Sequence, residues 1–308
     1  MATDSTTDSI MGSTTAEAVT WQVITGSARG AAHRARGLPN QDAAASRAGP
    51  GGVVAAIADG HGHSRHFRSA DGAALAVEVA CRVASSAIAG LAGDASAGDA
   101  DAGDASSGDA SADEAARAGQ ELARAVVAGW RSAVTAQLEE RPYTAQEQSI
   151  LDLAADTPVI PYGATLLVAV IAGRWLVCAQ IGDGDMLAVR PDGSSFSPVA
   201  GDDRLDGRRT TSLCQPDALG SFRTSAHDLS QVPLAALLLA TDGYGNALAD
   251  EPWQPVVGRD LAQLAAGHDH DWFGQQVPGW AQRCASADGS GDDATITLLL
   301  PGNTEEDG

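Results

Sequence analysis

The sequence predicts a single domain of mixed α and β structure over residues 19–301. Two observations predict it. Short apolar runs with strand character and longer stretches with helical spacing interleave along the whole region. No linker-like segment divides them, apart from a low-complexity insertion at residues 92–112. With 308 residues, 44% hydrophobic and 19% charged, the chain can bury a sizeable core.

Residues 1–18 are rich in Thr, Ser, Ala and Asp and read as a disordered tail, and residues 302–308 as an acidic C-terminal tail. Trp21–Thr25 reads as a first strand, and Gly26–Asn40, rich in Gly, Arg and Ala, as a loop. Gly52–Ala58 (GVVAAIA) is a buried strand that stops at Asp59-Gly60. Ala70–Ala92 has few breakers and places Leu75, Val79, Val83 and Ile88 at helical spacing. The insertion then repeats a five-residue unit (AGDAS, AGDAD, AGDAS, SGDAS). It has no large apolar side chain to offset the entropy of ordering, so it reads as solvated and disordered. Asp99-x-Asp101 gives it a weak calcium-loop character, but Gly103 occupies a ligand position and no Glu closes the loop.

Helix resumes over Asp113–Glu140. Gly163–Ile171 and Arg174–Ile181 form a hairpin around Ala172-Gly173. Met186–Arg190 and Pro198–Ala200 continue the sheet, and residues 201–230 read as a long functional loop or flap. Leu234–Ala240 is a buried strand that again ends in Asp-Gly. Helices follow around Trp253–Ala266 and Trp272–Ala287, and Ala294–Leu300 is the last strand.

Charge narrows the function. The net charge is −21 and the pI near 4.4, so phosphate backbones and anionic lipid are repelled; nucleic-acid and membrane-surface binding are not expected. All 19 basic residues are Arg, which excludes a P-loop, Schiff-base or kinase-type lysine. Cys81, Cys178, Cys214 and Cys284 are too scattered for a zinc knuckle or disulfide framework and read as buried small hydrophobes. The N-terminus lacks a secretory h-region, and the apolar runs Ala164–Ala172 and Val232–Ala240 are too short to span a bilayer, so the expected location is cytoplasmic.

The chemistry lies in a pattern of carboxylates. Asp59, Asp183 and Asp242 each follow an apolar run, Asp292 precedes one, and Asp42 follows Asn40-Gln41 at a loop end. Acids at neighbouring strand ends can converge on one rim of a sheet, where they repel unless a cation lies between them. Oxygen donors favour a hard ion such as Mg²⁺ or Mn²⁺ over zinc. A single Asp-Gly is ordinary turn chemistry, and Asp192-Gly193 and Asp206-Gly207 read that way. Recurrence beside apolar runs is what sets the others apart.

Six short motifs carry a resemblance. Asn40-Gln41-Asp42-Ala43, Ala58-Asp59-Gly60-His61-Gly62, Gly163-Ala164-Thr165, Ile181-Gly182-Asp183, Ala240-Thr241-Asp242-Gly243 and Asp292-Asp293-Ala294-Thr295 resemble, in order and spacing, those of the metal-dependent protein phosphatases, the type 2C or PPM family. The resemblance spans roughly residues 20–300 and implies an α+β fold: a four-layer αββα sandwich of two antiparallel β-sheets flanked by helical layers. It implies hydrolysis of phosphoserine or phosphothreonine in proteins, reversing a Ser/Thr kinase, with two Mn²⁺ or Mg²⁺ ions and a third in many bacterial members. By that correspondence Asp59 bridges two metals and Gly60 lends its carbonyl to one. Asp242 and Asp292 hold the other, and Asp183 with Asp242 recruits the third. Asp42 matches the second residue of the first acidic motif. The family's phosphate-binding arginine corresponds to Arg36 or Arg34, with Arg36 preferred.

Gln41 stands where the family often has Glu; an amide offers an oxygen but no charge. This leaves open a phosphatase-like module that acts by docking a partner. His61 is the expected general acid for the leaving alkoxide, set against a role behind the metal ligands or towards solvent. Grouped His61, His63 and His66 invite a zinc reading, which the surrounding carboxylates disfavour. His268-Asp269-His270-Asp271 reads as a polar loop or helix cap.

Overall fold

The structure, a computed structural model, describes residues 20–92, 110–151, 157–205, 210–248 and 252–302. The expected tail at 1–18 and the Asp99-x-Asp101 reading lie outside the described residues, as do residues 303–308.

Two antiparallel sheets form the centre. One has the order β1 (Trp21–Ala28), β10 (Ala294–Pro301), β9 (Ala236–Ala240), β6 (Asp185–Val189) and β7 (Ser195–Phe196). The other has the order β2 (Ala43–Gly49), β3 (Gly52–Ala58), β4 (Leu166–Ala172), β5 (Trp175–Ile181) and β8 (Arg223–Asp228). Side chains alternate across each strand. Val53, Ala55 and Ile57 of β3 therefore meet Met186, Leu237 and Leu299 of the facing sheet. Val54 and Ala56 face the other way, onto the helices α2 (Ser69–Leu91) and α3 (Ala112–Glu140). Leu238, Ile296 and Leu298 likewise pack against α7 (Gln254–Gly267) and α8 (His270–Cys284). The result is the four-layer αββα sandwich. Its central strands are buried on both faces, which is why they read as continuous apolar runs.

By length and composition α2 is apolar enough to cross a membrane. Here Ala76, Ala80 and Ala84 let it lie close against sheet and α3, inside the fold. The start of α3 is set by a capping box: Ser111 Oγ accepts the Glu114 N–H, and Glu114 accepts the Ser111 N–H at 2.7 Å. Arg68, just before α2, donates to both oxygens of Glu147 and to Tyr162 Oη, tying the segment beyond α3 to the start of α2. Asp269 caps α8 through the Trp272 N–H at 2.9 Å, as its sequence context suggests. All four cysteines are free and buried.

Several expectations need correction. Gly26–Asn40 is not all loop: β1 runs on to Ala28, and Ala31–Arg36 forms a short helix, α1, closed by Gly37 at φ 69°. Residues 198–200 are not strand; the sheet is extended instead by the two-residue β7. The segment 201–230 is not one loop, because α5 (Ala218–Ser221) and β8 lie within it. β2 and β8 flank their sheet and carry small or polar residues (AAASRAG, RTSAHD), so neither shows an apolar run.

Candidate metal centre

Strand register brings the acids together. Ala43 pairs with Ala58, so Asp42 and Asp59, one residue beyond on either strand, are neighbours at the same end of their sheet. Ala240 pairs with Ile296 and with Asp185, so the turn at Asp242 lies beside the start of β10 and Asp292-Asp293. Ile181 pairs with Leu166, which puts Asp183 at that end too. Asp59, Gly60, His61, Asp183, Asp242 and Asp292 all line one cavity of about 620 Å³.

Two glycines make the turns possible. A Cβ on Gly60 would sit 2.7 Å from the carbonyl oxygens of Gln41 and Ser69. Gly182 has φ +102°, and a Cβ there would meet Thr165 at 2.4 Å.

Asp42 lies behind the cavity wall and joins the two sheets. Its Oδ2 accepts hydrogen bonds from Thr241 and Thr295, each 2.8 Å. Its Oδ1 is buried without a partner, as is Oε1 of Gln41, whose amide nitrogen donates to Ser69 Oγ at 2.8 Å. Burial pushes the Asp42 pKa up to about 7, against the two hydroxyl bonds that favour its charge. Burial, then the charges of Asp42, Asp242, Asp292 and Asp183, holds Asp59 well above the usual carboxylate range. Burial and the charges of Asp183 and Asp292 raise Asp242 to about 6, and Asp185 next to it also rises to about 6.

Crowded anions and orphaned oxygens of this kind fit a divalent cation with oxygen ligands. Asp59, Gly60, Asp183, Asp242 and Asp292 line the cavity in which such a cation could be held. The consequence is testable. A carboxyl pKa raised on folding means that the folded chain holds more protons than the unfolded one, so stability falls as pH climbs from about 4 through about 7. The depressed His61 pKa opposes this between about 4 and 6.5, but fewer groups act in that direction. A cation takes the place of those protons. The gain in melting temperature on adding Mn²⁺ is therefore expected to be small at pH 5 and large at pH 7.5; differential scanning fluorimetry at the two pH values checks it.

The other expected residues are distributed as follows. His61 lies in the cavity, its ring 4.9 Å from that of His66. Burial and His66 push its pKa down to about 4, so it is neutral near pH 7; a bound phosphoryl dianion acts in the opposite direction. His63 Nδ1 accepts the Arg65 N–H, and His66 Nδ1 is 2.6 Å from the Ile160 carbonyl; among the described residues His61, His63 and His66 do not gather their ring nitrogens into a metal-ligand group. Arg34 and Arg36 do not reach the cavity. Both are exposed, donating to the carbonyls of Arg29 and Ala32. Among the described residues, the arginine that lines the cavity is Arg65. Thr210, Ser212 and Gln215, from the segment expected to be a functional loop, form part of the opposite wall.

Sequence reasoning also missed His33 and Asp293. His33 is 3% exposed, and its Nδ1 lies 2.7 Å from Asp293 Oδ2. Asp293, equally buried, further accepts the N–H groups of Gly30 and Gln41, each at 2.6 Å. The signal for Asp293 was available: of two adjacent acids entering a buried strand, alternation sends one inward.

Known proteins resemble the chain in sequence profile and in fold. The profile described as protein phosphatase 2C matches residues 29–276. A crystal structure of a bacterial serine phosphatase is similar, with TM-score 0.55 and 14% identity, covering 92% of this chain and 100% of that one. The Mycobacterium tuberculosis serine/threonine phosphatase PstP/Ppp has TM-score 0.47 and 22% identity, covering 92% and 100%. No curated protein sequence matches the chain.

Proposed function

The chain belongs to the protein phosphatase 2C family, and on that premise we propose that it hydrolyses phosphoserine and phosphothreonine in proteins with the help of divalent cations, reversing a serine/threonine kinase. The observation that carries the reading is the convergence of Asp59, Asp183, Asp242 and Asp292 on one cavity, with the charged form of Asp59 disfavoured by desolvation and by its neighbours. A pure docking surface has no use for that arrangement.

Bound divalent ions supply a water of lowered pKa and draw charge from the phosphoryl oxygens. The residues do the rest. Asp59, Asp242, Asp292 and the Gly60 carbonyl would hold the ions at the end of the sandwich, with Asp183 beside them. Arg65 faces the remaining phosphoryl charge, a role in which a planar guanidinium can donate two bonds at once. His61, directly after the Asp59-Gly60 turn, gives a proton to the departing serine or threonine alkoxide.

Hydrolysis of para-nitrophenyl phosphate and of phosphoserine peptides, with Mn²⁺ and again after chelation, tests the reading. Turnover that depends on the metal supports it. Mn²⁺ binding without turnover of any phosphopeptide favours instead a docking module, the reading that the uncharged Gln41 leaves open.

Two substitutions separate the roles. Arg65→Ala is expected to raise KM about tenfold, the worth of one charge-assisted hydrogen bond, and to leave Mn²⁺ affinity unchanged. His61→Ala is expected to lower kcat about a hundredfold, again with Mn²⁺ affinity intact. Steady-state kinetics beside calorimetric titration reads both.

A further inference from the structure

His33 has no role in the phosphatase reading, yet its surroundings are built around it. Its Nδ1 faces Asp293 Oδ2 at 2.7 Å. Asp293 accepts from two backbone N–H groups as well, so it faces His33 as an acceptor. That contact sets the tautomer: the proton of a neutral His33 lies on Nδ1, and Nε2 carries the lone pair. Asp292 Oδ1 lies 3.7 Å from Nε2, beyond hydrogen-bond range and itself an acceptor. Both residues line the cavity, and the ligand atoms of His33, Asp292 and Asp293 lie within 4.8 Å of one another.

We infer that His33 Nε2 is a nitrogen ligand, paired with Asp292, for a divalent transition-metal ion at the edge of the acidic centre. The supporting observation is a side chain almost completely buried, fixed from behind by a carboxylate, with its unpartnered lone pair turned into the cavity. A carboxylate behind an imidazole is the arrangement that orients metal-binding histidines and raises their basicity. Metal–nitrogen and metal–oxygen distances of about 2.1 Å allow one ion to touch both atoms. The inference rests on the metal-centre reading and deepens it. An imidazole in the donor set favours Mn²⁺, or a softer ion, over Mg²⁺.

Electron spin-echo envelope modulation of the Mn²⁺-loaded full chain reads the ligand directly, without activity. Wild type is expected to show ¹⁴N modulation from coordinated imidazole, which changes to the ¹⁵N pattern when the histidines carry ¹⁵N. His33→Gln is expected to lose it while still binding Mn²⁺, and to lose about tenfold of the preference for Mn²⁺ over Mg²⁺ in calorimetry. His66→Gln is expected to keep it. Bound Mn²⁺ without nitrogen modulation in wild type overturns the inference and leaves the metal centre standing. Modulation that survives His33→Gln does the same. Failure of Mn²⁺ to bind at all overturns both.

Discussion

Asp59→Asn is expected to lower kcat/KM by about a thousandfold or more while making the metal-free protein more stable. The two effects have one cause. Asp59 is half-buried in the cavity wall, and its charge is opposed by desolvation and by Asp42, Asp242, Asp292 and Asp183. An amide of the same shape removes that repulsion and relieves the fold. It also removes a carboxylate that would serve as a metal ligand, and a neutral oxygen is a poor substitute. Losing several kcal/mol of transition-state stabilisation corresponds to a factor of at least a thousand, at about 1.4 kcal/mol per tenfold. Melting temperature in chelator should rise, and phosphatase rate should collapse. A variant with half the wild-type rate, or one destabilised without metal, would contradict the assignment. This is the trade between stability and activity expected where charge is concentrated for function.

Asp293→Ala is expected to be the most damaging single change to stability near the site, at about 3–5 kcal/mol. The carboxylate accepts from three buried or nearly buried donors: the N–H of Gly30, the N–H of Gln41 and Nδ1 of His33. Each donor left without a partner costs about 1–3 kcal/mol. Those bonds also fasten the start of α1 and the Gln41-Asp42 segment to the edge of β10. Chemical denaturation should show the loss, and the remaining protein should bind Mn²⁺ weakly. Asp292→Ala provides the contrast. Its side chain is exposed, so stability should change little while metal affinity falls. Equal stability of Asp293→Ala and wild type would contradict this description of the α1 anchor.

The sequence disclosed the interior better than the edges. β3, β4, β5, β9 and β10 are covered on both faces, so nearly every position is apolar and the run is visible. β2 and β8 sit at sheet flanks where half-exposed Ala, Ser, Thr and Arg suffice, and no pattern marks them. α1 spans only Ala31–Arg36 between glycines, too short for a periodic signal. The acids of the site were legible because each interrupts or adjoins a buried run. Register, which sequence does not print, decides that Asp59 and Asp42 are neighbours and that Thr241 and Thr295 meet on Asp42. The arginines show the limit of proximity in sequence. Arg34 and Arg36 stand closer to the first acidic motif, but α1 leaves them exposed and buries His33, and it is Arg65 that lines the cavity.

The most direct measurement is anomalous diffraction at the manganese edge from crystals of the full chain grown with Mn²⁺. Two peaks in the cavity, both within coordination distance of Asp59 and one also touching Asp242, are the predicted result. Manganese absent from those carboxylates, or bound only on the outer surface, would contradict a metal-dependent phosphatase centre at this end of the sandwich.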